Sequence, residues 1–312
     1  MKQHIKLFLV PALLLVSGLT GCSNQPTTYG YSLDLSEARF SKQIKDQEND
    51  FAGIKVIKTT YKGDKEVAQD IVEDFEIVKD EESNNIVYFE GEDFRLEYEF
   101  EYRDPIKVAC IGDSLTAGHT WASEAYPVYL GQDLGNKFTI GNFGENGDSV
   151  TGYGGDKNNP NQRYIKRDVY KNSLKFNPDV IVMCLGTNDG TDWDNASKTF
   201  VSEYHTLINS YLDKFPESQW VFLVSPPCFE PNAYDIKNDV MKENVNPVQR
   251  ALAEEYNFPL VDLRNDFEAM SDGGKSMLRP TWNGQPDLVH FSVKGAKYVA
   301  EKVDEIIDTF CF

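Results

Sequence analysis

From Pro105 onward the chain alternates strand and helix signals, and this alternation restricts the fold more than any other feature of the sequence. Apolar runs of strand length fall near 107–111, 138–142, 180–185, 219–224 and 259–262. Stretches with helical periodicity stand near 124–134, 164–175, 198–214, 238–256 and 292–308. A strand that is followed by a helix and then rejoins the same sheet does so as a parallel crossover, so the pattern predicts a parallel sheet with helices on both faces. Runs such as Val180 to Leu185 and Trp220 to Val224 are apolar at every position, as strands covered on both faces are. Folds of this class hold their ligands at the carboxyl ends of the strands, so the residues just after each run are the ones to read for chemistry.

After Ile106 to Ile111 come Gly112-Asp113-Ser114-Leu115-Thr116-Ala117-Gly118. A strand that turns sharply into a helix there presents the Ser114 hydroxyl at the edge of the sheet, although Ser and Asp are also favoured helix caps. A serine hydroxyl needs a base, and imidazole is the side chain suited to that near neutrality. Beyond His4 the chain has only His119, His205 and His290. His205 lies within a helical stretch and reads as a packing residue. His119 follows the Gly118 turn and can line a cleft, but no carboxylate stands in a suitable relation to it. His290 has Asp287 three residues earlier on a turn, where a carboxylate can hold the imidazole N–H. Ser114 has no Gly two positions later, so this is not a Gly-x-Ser-x-Gly elbow. No His-x-His or His-Glu-x-x-His spacing occurs, and no metal site is expected.

Three further stretches follow predicted strands or precede the last helix: Asn142-Phe143-Gly144-Glu145-Asn146-Gly147-Asp148-Ser149, Gly186-Thr187-Asn188-Asp189 and Asp287-Leu288-Val289-His290. With the Gly112–Gly118 stretch, and in this order, they resemble the blocks of the SGNH (GDSL-type) hydrolase superfamily. The likeness runs from Pro105 to the C-terminus and is nearest the branch that includes sialate and other carbohydrate O-acetylesterases. It implies a three-layer, flavodoxin-like α/β domain with a five-stranded parallel sheet and no cofactor. It also implies a Ser114, Asp287, His290 triad and an oxyanion hole built from the N–H groups of Ser114 and Gly147 and the amide of Asn188. Gly144 lies in the same loop as Gly147, which is preferred because it directly precedes Asp148-Ser149. Asp189 reads as a turn residue bonding its own backbone.

The first residues have a different logic. Lys2 and Lys6 precede an apolar run from Leu7 to Leu19 that is too short to span a bilayer as a helix, and basic-then-apolar is the order of a secretory signal. Leu19-Thr20-Gly21-Cys22 resembles a bacterial lipobox, which implies lipidation at Cys22 and an exported lipoprotein on a cell membrane or outer membrane surface. The formal net charge is −19, and losing Lys2 and Lys6 makes it −21, so no nucleic acid partner is expected of so acidic a chain. Cys110 and Cys184 lie inside strand runs as small hydrophobes. Cys228 and Cys311 remain as an available disulfide pair, with nothing in the sequence positioning them together.

The expected organisation is a signal peptide over 1–21, a tether over 22–50 with a short helix near 36–47, a small all-β accessory domain over 51–104 and the hydrolase domain over 105–312. Strands are predicted at 54–61, 75–78, 86–89 and 94–102. In the last, Phe94, Leu96, Tyr98, Phe100 and Tyr102 alternate with charged residues, which is the period of a half-covered strand. The stretch from Tyr61 to Glu66 bears a faint likeness to immunoglobulin-like modules. Such a domain serves either as a spacer that holds the enzyme away from the membrane or in carbohydrate binding or docking.

Aromatic residues after the strands (Trp121, Tyr153, Tyr164, Trp193 and Trp282) suggest a surface for sugar rings, whereas Trp220 reads as core. Asp113, His119, Trp193 and Trp282 are the candidate substrate-binding residues. The expected function is a lipid-anchored serine esterase removing short acyl groups, acetyl above all, from extracellular oligosaccharide or polysaccharide. The competing readings are a lipase or thioesterase on lipid acyl esters and a non-catalytic sugar-binding lipoprotein.

Overall fold

The computed structural model describes residues 25–154 and 162–312; the expected signal segment and Cys22 lie outside the described residues. Two compact units divide the chain. One runs to Asp104 and takes in Cys311–Phe312, and the other is Pro105–Phe310.

In the second unit, β1 (Ile106–Gly112), β2 (Phe138–Gly144), β3 (Val180–Cys184), β4 (Gln219–Val224) and β5 (Leu260–Asp262) form one sheet in the order β2-β1-β3-β4-β5. All four pairings are parallel. This is the flavodoxin-like order. The chain starts inside the sheet, steps outward to β2, then crosses back past β1 to β3, so the winding reverses between the ends of β1 and β3. Loops diverge at such a switch point and leave a crevice.

The four crossovers carry α1 (Tyr126–Leu134), α2 (Asp168–Phe176), α3 (Phe200–Leu212) and α4 (Asn246–Glu255), and α5 (Val293–Ile307) follows the last strand. Alternate strand residues serve the two layers. Ala109, Ile111, Ile181, Met183, Trp220 and Phe222 join one buried cluster with Phe200, Tyr204, Leu207 and Tyr211 of α3, while Val108, Cys110 and Val182, equally buried, face the other way. Full burial on both faces is why Val180–Cys184 and Trp220–Val224 carry no polar residue. The helix predicted over 238–256 is interrupted by a π-turn at Met241–Val245 just before α4. Pro247 has no N–H to give to the turn before it, and a widened turn accommodates that loss.

The first unit is all-β. Thr27–Asp34, Lys55–Lys62 and Lys65–Val72 make one antiparallel sheet, and Glu76–Lys79, Ile86–Gly91 and Phe94–Glu99 another. Val56, Val87, Phe89 and Phe100 are buried in its core with Ala38 and Ile54. Three expectations need correction here. The supposed tether contains a full strand, because Thr27–Asp34 pairs along its whole length with Lys55–Lys62. No helix forms over 36–47; Gln43–Ile44 instead pairs with Tyr102–Arg103. The C-terminal residues belong to this unit, where Phe312 stacks on Phe40 at 5.8 Å and its N–H donates to the Arg39 carbonyl at 2.6 Å. Strand Lys65–Val72 escaped the sequence reading because it is exposed at almost every position and so shows no apolar alternation. Cys228 is a buried thiol that forms no disulfide with Cys311.

Candidate active site

Where β1 ends, a side chain on Gly112 would place its Cβ 2.4 Å from the Cys184 carbonyl oxygen of β3, so only glycine lets the two strand ends approach. The chain then turns at once into the short helix Ser114–Ala117, capped by Asp113, whose Oδ1 accepts from the Leu115 N–H at 2.9 Å. Ser114 is the first residue of that turn, so its N–H has no partner within the helix.

Ser114 Oγ lies 2.9 Å from His290 Nε2, and His290 Nδ1 lies 3.0 and 3.1 Å from the two oxygens of Asp287. A carboxylate facing Nδ1 selects the tautomer with its proton there and leaves the Nε2 lone pair towards the hydroxyl. Asp287 Oδ1 also accepts from the N–H groups of Val289 at 3.1 Å and His290 at 2.9 Å. This wrap holds Leu288 at φ 56°, a left-handed conformation that costs a branched residue energy and persists because the surrounding bonds impose it. Burial alone would raise the Asp287 pKa, but the hydrogen bond and charge of His290, with the two N–H donors, outweigh it and hold the carboxyl below its ordinary value.

The loops after β2 and β3 are stapled together by adjacent residues. Asn188 Nδ2 donates to the Asp148 carbonyl at 2.9 Å. Asp189 Oδ2 accepts from the Val150 N–H at 2.9 Å, and its Oδ1 from the N–H and hydroxyl of Thr151 at 3.0 and 2.7 Å. Asp189 bonds its own backbone N–H, as the sequence suggested, and beyond that ties the β2 loop to β3. Its partners in that loop are about forty residues away in sequence, so no local pattern could reveal them. Gly147 sits in this stapled loop at φ 77°, where an added Cβ would fall 2.4 Å from Gln162 Nε2. The positive φ is what favours glycine there.

Aromatic rings surround the imidazole. The His119 ring lies 4.2 Å from that of His290, 4.9 Å from Trp282, 5.6 Å from Trp121 and 5.7 Å from Tyr234. Burial, then the neighbouring His290, push the His119 pKa down to about 4, so near neutrality His119 is uncharged. Tyr234, missed in the sequence, stands perpendicular to His290 at 4.7 Å, and its hydroxyl points to Asp287 Oδ2 at 3.4 Å. It lies in a loop after β4 that carries no motif, and only the fold brings it here. Trp193 packs edge-on against Phe200 at 5.2 Å on the buried core, so it is withdrawn from the substrate-binding candidates. Tyr164 is fully buried, with its hydroxyl donating to the Phe143 carbonyl at 2.7 Å, and Trp220 is core, stacked on Phe258 at 4.5 Å. His205 binds the Tyr256 hydroxyl at 2.8 Å, in keeping with a packing role.

Three buried carboxyls, Asp113, Asp148 and Asp189, lie close to the Ser114 turn. Burial, opposed by the Leu115 N–H and reinforced by the charge of Asp189, pushes Asp113 up to about 7. Burial does the same to Asp148, to about 7 against the pull of Arg167, and to Asp189, to about 6. Folded values above the unfolded one mean that the folded state binds more protons between them. The resulting stability is fully present below about pH 4 and is lost as pH rises through about 6 to 7. Asp287, with a lowered value, acts oppositely and only below the ordinary carboxylate range. Melting temperature is therefore expected to fall between about pH 4.5 and 7.5, and less steeply in Asp113→Asn, which keeps the cap but cannot ionise. Parallel melting curves for the two proteins across that range would refute the assignment.

Residues 110–298 match the GDSL-like lipase/acylhydrolase family. An acetylxylan esterase from Xylanibacter ruminicola is 28% identical over 220 residues, covering 64% of this chain. The match takes in only 42% of that relative's length. Among solved structures, the aryl esterase of M. smegmatis superposes with a TM-score of 0.51 at 17% identity, covering 66% of this chain and 99% of that one. A lipase/acylhydrolase from Enterococcus faecalis gives 0.50 at 21%, covering 65% and 95%. At these identities the structural likenesses speak for the fold alone.

Proposed function

The chain belongs to the GDSL-like lipase/acylhydrolase family, and from that premise we propose that it is a serine esterase removing acetyl groups from extracellular carbohydrate. The observation that carries this reading is the continuous line of hydrogen bonds from Ser114 Oγ through His290 to Asp287. His290 Nε2 takes the hydroxyl proton as Ser114 Oγ attacks the ester carbonyl, and Asp287 stabilises the imidazolium that forms. Negative charge grows on the carbonyl oxygen. Its donors are the N–H groups of Ser114 and Gly147 and one N–H of Asn188, whose Nδ2 carries two protons and gives one to Asp148. The imidazolium then protonates the departing sugar oxygen, leaving acyl-Ser114. Water, deprotonated by the same imidazole, releases acetate and restores the hydroxyl.

The relative's name supports acetylated xylan as the kind of substrate, and the ring of Trp282 beside His119 suits a flat sugar face. Export and anchoring through Cys22 belong to the same proposal and rest on the basic, apolar, Leu-Thr-Gly-Cys order of the first 22 residues. The test is acetate release from acetylated xylo-oligosaccharides beside hydrolysis of acetyl, butyryl and decanoyl aryl esters. Rates that climb with chain length would favour a lipase, and absence of turnover on all of them a binding protein. In cell fractionation Cys22→Ala should move from the membrane to the soluble fraction with its esterase activity intact; equal membrane retention of both forms would overturn the anchor.

A further inference from the structure

A small recess touches both Ser114 and His290. Its open volume is about 10 Å³, room for one water-sized group. The buried part of its wall is largely apolar, with Leu115, Ala125, Phe291 and Ala296 each under a tenth exposed. The half-exposed members of its lining are Gly118, Glu124 and Arg279, so these three form the side of the recess that faces water.

Glu124 and Arg279 are ion-paired there, and the Arg279 guanidinium lies 3.7 Å from the centre of the Trp121 ring. The backbone fixes the position of the pair relative to the base, since the Arg279 N–H donates to the His290 carbonyl at 2.8 Å. A guanidinium held both by a carboxylate and by an indole face has little freedom to swing away.

We propose that this recess is the acyl pocket and that the Glu124–Arg279 pair, seated on Trp121, closes its outer side and limits the acyl group to acetyl. The inference rests on the esterase reading above. A methyl group matches the free volume and the apolar walls. A second or third methylene has to displace the ion pair, and one methylene in a tight pocket changes kcat/KM by roughly 10- to 200-fold. The pair is a specificity device and takes no part in the proton transfers at Ser114 and His290.

The experiment measures kcat/KM of the full chain on 4-nitrophenyl acetate, propionate and butyrate, for wild type, Arg279→Ala and Glu124→Ala. Both replaced side chains are partly exposed, at 17% and 38%, and thermal melts of the two variants verify folding independently. The wild-type protein is expected to lose at least about tenfold per added methylene. In either variant the butyrate-to-acetate ratio should rise by about tenfold or more, because the outer side of the pocket is then open. Turnover of acetate with an unchanged ratio in both folded variants would overturn the acyl pocket and leave the esterase reading standing. Lack of turnover of all three esters by the wild type would bring down both.

Discussion

Ser114→Ala is expected to lower kcat on an aryl acetate by on the order of 10⁶, and His290→Ala by a similar factor, with the double variant no worse than either alone. The two residues act as one device. Without the hydroxyl there is no nucleophile for the base to activate. Without Nε2 at 2.9 Å the hydroxyl keeps its proton and is a poor nucleophile at neutral pH. Losses that come from disabling the same step do not add. Both side chains are nearly enclosed, at 8% and 4% exposure, so melting curves should accompany the kinetics and separate lost chemistry from lost folding. An organophosphonate probe, followed by peptide mass analysis, should label Ser114 and no other serine. Labelling elsewhere, or additive losses in the double variant, would move the nucleophile to another residue.

Asn188→Ala is expected to cost on the order of 10²–10³ in kcat while leaving nucleophile and base untouched. The geometry sharpens this expectation. Asn188 already spends one N–H on the Asp148 carbonyl, which fixes the direction of its amide, and the adjacent Asp189 anchors Val150 and Thr151. The loop bearing Gly147 therefore stays tied to β3 even when the Asn188 amide is removed. The loss should appear in kcat, because the donor acts on charge that develops only in the transition state. His119→Ala is the matching control. Its ring packs on His290 at 4.2 Å but stands outside the hydrogen-bonded line from Ser114 to Asp287, so its removal should cost far less. If Asn188→Ala kept near wild-type kcat while His119→Ala abolished it, base and oxyanion donor would have to be reassigned.

The sequence and the structure agree most closely where a residue's role depends on its immediate neighbours. Glycine beside Asp113-Ser114 at the end of an apolar run, and Asp287 three residues before His290, are local arrangements. Their geometry follows from a turn of a few residues, and the structure brings all of them together. The alternation of strands with helices was equally plain, since burial on both faces leaves only apolar residues in the central runs Val180–Cys184 and Trp220–Val224. Disagreement is greatest where a side chain's surroundings come from elsewhere in the chain. Trp193 and Tyr164 follow strands just as Trp121 and Trp282 precede or follow turns, yet the first two point into the core and the others stand with His119. Position after a strand does not say which way an aromatic ring turns.

By itself, then, the sequence determined the parallel α/β class, the order of the four motif blocks and the candidates for nucleophile, base and orienting carboxylate, because each is written in short-range periodicity or spacing. The tertiary structure alone decided that Asp189 staples two loops about forty residues apart, that Tyr234 stands against His290 and Asp287, and that Glu124 and Arg279, 155 residues apart, meet beside Ser114. It also decided that Thr27–Asp34 is a strand and that Phe312 packs with Phe40 in the first unit. These contacts are set by the crossing order of the sheet and by which strand edge or ring finds a partner. A pairing between distant segments leaves no period in either one, so nothing in the linear pattern records it.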